Sequence, residues 1–361
     1  MRLICDALPI RIGARLMTVR VLQGDCRDVL KTLPDESVHC VVTSPPYWGL
    51  RDYGHAGQLG LEATPQEYVE RMVEVFAHVG RVLRADGTLW LNLGDSYARA
   101  QETNVPQTKK GGAPSYPEHS KEGSSDGAVG RAERPGTRSG GKPKDLVGIP
   151  WRVAFALQAA GWWLRQDIIW SKPNPMPESV TDRCTKAHEY LFLLAKSERY
   201  YFDQDAIQEA ATVGDNARNV TDPVPSHMPG APANIGIRRS GNKERKSRHD
   251  HGGNPDHPGA QAFGVPWEGD TRNKRSVWTV TTQPFKEAHF ATFPPALIEP
   301  CILAGCPAGG TVLDPFGGAG TTGLVADRHG RDAILIELNP EYSEMARKRI
   351  FNDSPLFAEV Q

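Results

Sequence analysis

Two rhythms of apolar and polar positions run along the chain, and their boundaries predict a series of strands and helices. Residues 19–24 read as a strand and 26–33 as a short amphipathic helix. Residues 38–43 form a second, strongly apolar strand that ends at Ser44-Pro45-Pro46-Tyr47. Over 65–83, Tyr68, Met72, Val75, Phe76, Val79 and Leu83 recur at helical spacing, and Thr64 with Glu67 fits an N-terminal capping box. A third strand is expected at 88–93. Periodicity is lost over 99–148, which is rich in Gly, Ser, Pro and charge and is expected to be a mobile loop. Order resumes with a helix at 150–160, strands at 164–170 and 189–195, and a short edge piece at Tyr200-Tyr201-Phe202. Residues 206–274 are again polar. The chain then alternates cleanly: helix 295–304, strand 311–313, helix 321–329, strand 333–336, helix 341–350.

Strands alternating with helices of this length predict an α/β fold with a mostly parallel, doubly wound sheet carrying long polar insertions. The expected organisation is an N-terminal extension (1–17), one half of a domain (18–205, with the insertion at 99–148), a variable or flexible region (206–275), and the second half of the same domain (276–361). Segments 1–16, 100–142 and much of 210–270 are expected to be poorly ordered in isolation.

Composition narrows the classes. The 39% of hydrophobic residues can fill a core, while 36 Gly and 29 Pro point to long loops. Lys and Arg number 42 against 43 Asp and Glu, so a uniformly basic nucleic-acid coat is excluded and local patches are not. One such patch is Arg238, Arg239, Lys243, Arg245, Lys246 and Arg248, with Glu244 the only acid among them. Six cysteines without a CxxC pair exclude a disulfide scaffold and argue against structural zinc. Cys184 with His188, and His249, His251 and His257, are read as ordinary loop residues, so no metal is expected. No apolar run reaches membrane-spanning length and no signal peptide is visible, which predicts a soluble, intracellular protein.

Two motifs carry chemistry. Asp314-Pro315-Phe316-Gly317-Gly318-Ala319-Gly320-Thr321 joins a buried strand to a helix, where glycines would let a ligand approach the backbone. The next strand ends at Glu337, whose carboxylate can accept both hydroxyls of a ribose. The GGxG spacing lacks the GxGxxG of a dinucleotide site, which favours a mononucleoside cofactor such as S-adenosylmethionine. The second motif is Thr43-Ser44-Pro45-Pro46-Tyr47. Two prolines fix two φ angles and remove two donors, making a rigid corner with free carbonyls. With the Ser44 hydroxyl and the flat Tyr47 ring, this corner would grip a planar group that carries an exocyclic amine.

Together the two motifs resemble the amino-methylating DNA methyltransferases, and their order, catalytic motif first, resembles that family's β group. The resemblance spans roughly 18–98, 145–205 and 276–351. It implies a Rossmann-like S-adenosyl-L-methionine-dependent fold, double-stranded DNA as partner, a companion restriction endonuclease as a second candidate partner, and a cytoplasmic, bacterial, archaeal or phage-encoded setting. By position it assigns Ser44, Pro45, Pro46 and Tyr47 to the target base. Asp314, Pro315, Phe316, Gly317, Gly318, Gly320 and Thr321 go to the cofactor, with Glu337 at its ribose, Asp25 at its adenine, and Thr292 and Phe293 at its methionine end. Trp170 and Lys172, in a proline-rich loop similar to one near the family's base pocket, are expected to face DNA. Ser before Pro-Pro-Tyr accompanies cytosine N4 in most family members, whereas Asp or Asn there accompanies adenine N6; cytosine N4 is therefore preferred, with adenine N6 as the alternative. A protein or RNA methyltransferase and a silent DNA-binding module are weaker readings. Those of the first class that resemble the protein glutamine enzymes carry Asn-Pro-Pro-Tyr after the cofactor motif, the reverse of the order here, and both motifs are intact, which gives the second no support. Cys306, though followed by Pro307, is read as structural, because it sits at a helix end just before the cofactor strand and nothing ties it to a base pocket.

Overall fold

The computed structural model describes residues 17–50, 52, 54–55, 57–98, 142–211, 271–283, 292–353 and 358–360. They fall into two units, Met1–Ile207 with Arg275–Gln361, and Gln208–Lys274. The expected disorder of 1–16 and of most of 100–142 and 210–270 lies outside the described residues, as do the basic run 238–248 and His249, His251 and His257.

The larger unit runs β1 (Met17–Gln23), α1 (Cys26–Thr32), β2 (Val38–Thr43), α2 (Pro65–Val82), β3 (Leu83–Leu93), α3 (Ile149–Ala159), β4 (Trp163–Ser171) and β5 (His188–Ala195). The smaller unit contributes β6 (Glu209–Ala210) and β7 (Thr271–Arg272). The larger unit continues with β8 (Val277–Thr279), α4 (Pro295–Gly305), β9 (Thr311–Asp314), α5 (Thr321–Arg328), β10 (Asp332–Glu337), α6 (Pro340–Asp353) and β11 (Ala358–Val360). In the smaller unit β6 and β7 form an antiparallel pair, tied by Arg272 Nε to Glu209 Oε1 at 2.8 Å.

Nine strands form one sheet in the order β11-β1-β10-β9-β2-β3-β5-β4-β8. Every ladder is parallel except the two that flank β5. The apolar faces of α1, α2 and α3 bury one side of the sheet around Leu30, Tyr68, Met72, Phe76 and Leu157. α4, α5 and α6 bury the other around Ile298, Ile302, Val325 and Ala346. Helices on both faces make the sheet doubly wound, as the pattern predicts. Local chemistry sets the helix starts. Thr64 Oγ1 accepts from the Glu67 amide at 3.2 Å, and Glu67 Oε2 accepts from the Ala63 amide at 3.0 Å. Pro65 fills the first turn, where its missing N–H costs nothing.

The sheet is mostly parallel, with one antiparallel member, and two further expectations change. β5 runs antiparallel: the 172–187 connection carries Pro173, Pro175 and Pro177, which bar the crossover helix a parallel partner would need. Tyr200-Tyr201-Phe202 is not a strand; it is held by the Tyr201 amide on the Asp86 carbonyl at 2.8 Å. At the end of the 99–148 loop, 142–148 is pinned by Ala98 and Ser96 backbone bonds and by a bridge from Tyr97 to Leu146. No described helix is long and apolar enough to cross a membrane.

Candidate active site

β2, which follows β1 in the chain, lies instead beside the late strand β9, so the strand order reverses between them. Ligands of open α/β sheets bind at such a reversal, beyond the carboxyl ends of the strands. A cavity of about 750 Å³ opens there, within the usual range for a small-molecule site. It is bounded by the residues after β1 (Gly24, Asp25), after β2 (Ser44 to Tyr47), after β9 (Pro315 to Ala319) and at the end of β10 (Glu337).

On one side the loop from Asp314 to Gly320 is held by hydrogen bonds of its own. Asp314 is buried, and its Oδ1 accepts from Thr43 Oγ1 at 2.6 Å and the Phe316 amide at 3.0 Å. Its Oδ2 accepts from Thr322 Oγ1 at 2.6 Å. Burial pushes its carboxyl up to about 6 in spite of these donors. Asp314 thus clamps β2 to β9 and to α5 at the edge of the cavity. The glycines divide in the same way. A Cβ at Gly317 would lie 2.9 Å from Leu335 Cβ, and one at Gly320 2.9 Å from Ala346 Cβ, so these two serve packing of the loop on β10 and α6. Gly317 and Gly318 both line the cavity, and at Gly318, where φ is +49°, the added carbon would meet only the Phe316 carbonyl at 3.9 Å.

Glu337 accepts the Gly318 amide on Oε2 and the Asn339 amide on Oε1, each at 2.8 Å. One lone-pair direction per oxygen remains, so the carboxylate can still accept two hydroxyls. Burial raises its pKa, against the pull of those two amides. Asp25 lines the same cavity but is engaged: it caps α1 through the Arg27 amide at 2.9 Å and pairs with the Arg27 guanidinium at 2.5 Å, which lowers its pKa. Thr292 and Phe293 line the wall just before α4, and Phe293 also packs on the second core cluster. Thr321 accepts from Arg349 Nη1 at 2.9 Å.

On the other side, Pro46 passes its carbonyl to the Tyr68 hydroxyl at 3.0 Å. The Pro45 carbonyl accepts no hydrogen bond among the described residues. Tyr47 lays its ring over Gly94, where a Cβ would stand 2.4 Å from Tyr47 Cε2. The Tyr47 hydroxyl donates to Glu189 Oε2 at 2.7 Å, lies 3.1 Å from Asn92 Oδ1, and accepts from Ser44 Oγ at 3.3 Å. Burial and the facing Glu189 carboxylate keep the phenol protonated, raising its pKa well above the usual value.

Trp170 and Lys172, expected to face DNA, line the wall of the same cavity as Ser44 and Tyr47. Trp170 is 4% exposed and donates to the Val280 carbonyl at 2.8 Å. Lys172 Nζ stands over its ring at 4.1 Å and forms an ion pair with Glu189 Oε1. Glu189, Asn92 and Asn339 are functional candidates that the sequence reading passed over. Glu189 and Asn92 lie inside strands that read only as apolar runs, and Asn339 follows a strand end without a motif of its own. Among the described residues no group of His, Cys, Asp and Glu could hold a metal.

At one reversal point of a doubly wound α/β sheet stand an acid with a lone-pair direction left on each oxygen and a rigid corner with an open carbonyl and a hydroxyl, a pairing that can take a nucleoside and an amine. A family model described as DNA methylase, of the N6/N4 type, matches residues 38–348. The Type II methyltransferase M.Cfr9I of Citrobacter freundii is 43% identical over 330 residues, covering 91% of this chain and 87% of its own. M.SmaI of Serratia marcescens is 41% identical over 341 residues, covering 94% and 93%. Among solved structures, PvuII DNA methyltransferase (cytosine-N4-specific) superposes with a TM-score of 0.52 at 18% identity, covering 96% of this chain and 97% of its own. The putative DNA modification methylase TTHA0409 of Thermus thermophilus, complexed with S-adenosyl-L-methionine, superposes with a TM-score of 0.52 at 21% identity, covering 95% and 99%. At those identities the two structures speak for the fold. The chain belongs to the N6/N4 DNA methylase family, in its β-group arrangement, and is a DNA amino-methyltransferase.

Proposed function

We propose that the chain transfers a methyl group from S-adenosyl-L-methionine to N4 of a cytosine flipped out of duplex DNA. The observation that carries this reading is the placement of Glu337, with its free lone pairs, in the same cavity as the Ser44 hydroxyl and the open Pro45 carbonyl. The residues present fit the cofactor: Glu337 for the ribose hydroxyls, the space over Gly318 for close approach, Asp25 beside Gly24 for the adenine, and Pro315, Phe316, Thr292 and Phe293 around the methionine part. When bound, S-adenosyl-L-methionine supplies an electrophilic sulfonium methyl.

The rest of the chemistry belongs to the chain. An exocyclic amine is a poor nucleophile because its lone pair is conjugated with the ring. Ser44 Oγ and the Pro45 carbonyl accept its two N–H bonds, draw the nitrogen toward tetrahedral geometry and localise that pair. Tyr47 supplies a stacking face for the base, which must leave the duplex to reach it. In-line positioning of amine and methyl lowers the barrier by several kcal/mol. No covalent intermediate is required, and burial pushes the Cys306 thiol up to about 12, which keeps it from acting as a nucleophile. Ser44 favours cytosine N4 over adenine N6 through the family pattern at that position. The basic run 238–248 would meet DNA phosphates. A cytoplasmic setting and a companion restriction endonuclease go with this reading.

The test is to methylate duplex DNA in vitro, digest it to nucleosides and weigh the products. N4-methylcytosine is expected. N6-methyladenine would replace the base assignment, and 5-methylcytosine would overturn direct transfer to an amine.

A further inference from the structure

Methylation of an amine leaves a surplus proton on nitrogen, and the corner that grips the amine continues into a chain of hydrogen bonds. Ser44 Oγ donates to the Tyr47 hydroxyl at 3.3 Å, and that hydroxyl donates to Glu189 Oε2 at 2.7 Å. The donor directions run one way, from the amine site to a carboxylate. The first link is long, as catalytic bonds often are before substrate tightens them. Asn92 Oδ1 stands 3.1 Å from the same Tyr47 hydroxyl, with its amide oriented by an Nδ2 bond to the Tyr190 carbonyl at 3.0 Å, so the phenol is fenced by acceptors. Glu189 is itself fixed by its Lys172 ion pair, and both side chains are only 17% exposed. Lys172 in turn is seated on Trp170. This is more construction than a stacking platform needs.

We infer that Glu189 is a positioning residue for methyl transfer and the final acceptor of the amine proton, acting through Tyr47 and Ser44. The inference rests on the amine-methylation reading above. As the N–CH3 bond forms from the amine lone pair, the electron pair of the breaking S–CH3 bond stays on sulfur. The surplus proton on nitrogen passes to Ser44 Oγ, the Ser44 proton to the Tyr47 oxygen, and the Tyr47 proton to Glu189 Oε2. Nitrogen, serine and tyrosine end neutral, and the carboxylate becomes a carboxylic acid that later loses its proton to water through the exposed fraction of its side chain. Before the proton moves, the carboxylate also favours the positive charge developing on nitrogen, and that assistance is present in the transition state. The Tyr47 hydroxyl therefore has a role separate from its ring.

The experiment compares the full chain with Glu189→Gln, Tyr47→Phe and the pair combined. It uses duplex DNA carrying the target, and for binding a duplex with 2-aminopurine at the target position, without cofactor. Glu189→Gln keeps an acceptor for the phenol but loses the charge and basicity. Tyr47→Phe keeps the ring but cuts the chain. Each is expected to lower kcat by about a hundredfold, with KM for DNA and cofactor unchanged and 2-aminopurine emission equal to wild type. The combined variant should be no slower than either alone, since both break one chain. Because Glu189→Gln leaves the Lys172 ammonium unpaired, Glu189→Gln with Lys172→Met is included and should show the same loss with wild-type melting. A wild-type kcat in Glu189→Gln, additive losses, or a fall in 2-aminopurine emission matching the loss of rate would overturn the inference, the last by reducing Glu189 to a prop for the ring. If the wild-type chain yields no amine-methylated nucleoside, the functional reading falls and the inference with it; if it does and Glu189→Gln keeps pace, only the inference falls.

Discussion

Gly94→Ala puts the base platform under a defined load. Gly94 follows β3 directly beneath the Tyr47 ring, and an ideal Cβ there would stand 2.4 Å from Cε2 and 2.8 Å from Cδ2. Carbon atoms pack at roughly 3.5–4.0 Å, so the ring must retreat by about 1 Å. The Tyr47 hydroxyl sits 2.7 Å from Glu189, and a shift of that size away from it breaks the bond. Two costs follow. Overpacking destabilises the fold by about 1–3 kcal/mol, readable as a lower melting temperature. Misplacing the stacking face by about 1 Å lowers turnover on the order of a hundredfold. Cofactor affinity, measured by calorimetry, should not change, because Gly94 is outside the cofactor wall. Added to Tyr47→Ala, Gly94→Ala should cost nothing further in turnover, since the ring it displaces is already gone. A Gly94→Ala chain with wild-type melting and wild-type turnover would refute the placement of Tyr47.

The other predictions concern neighbouring groups. Glu337→Ala should weaken S-adenosyl-L-methionine binding in calorimetry while leaving the fold intact, and unchanged affinity would remove the ribose assignment. Asp314 has a folded-state pKa of about 6 against an ordinary 3.8, so the native chain binds the extra proton between those values. Its contribution to stability is accordingly greatest in acid and is lost as pH rises through about 6. The wild-type minus Asp314→Asn difference in melting temperature should shrink over that window, and a difference that grows with pH would mean that the three donors outweigh burial and would contradict the raised pKa. Cys306→Ser should keep methylating DNA in a chain that still binds cofactor, because no thiolate attack is involved; abolished methylation there would defeat direct transfer.

Much of this architecture is legible in the sequence because the parallel half repeats one physical pattern. Buried strands such as 38–43 and 333–336 are apolar runs, and the helices between them carry apolar stripes. The direction of β5 was not legible, since strand periodicity is the same in either direction and only the proline-rich connection bears on it. The glycine loop shows a subtler limit. Glycine freedom is visible in sequence, but which glycines also serve packing depends on what lies across the gap, and Leu335 and Ala346 fill it at Gly317 and Gly320. That Asp314 also clamps the sheet becomes visible only when Thr43, more than two hundred residues earlier, is seen to donate to it. Glu189 escaped notice because its partners Tyr47 and Lys172 come from other elements, and no local spacing links the three.

The most direct test of the account is the structure of the chain with a target-containing duplex and a non-reactive cofactor analogue. A flipped base stacked on Tyr47 is expected, with its amine within hydrogen-bond distance of Ser44 Oγ and the Pro45 carbonyl, and ribose hydroxyls on Glu337. A base held elsewhere, or a ribose away from Glu337, would contradict it.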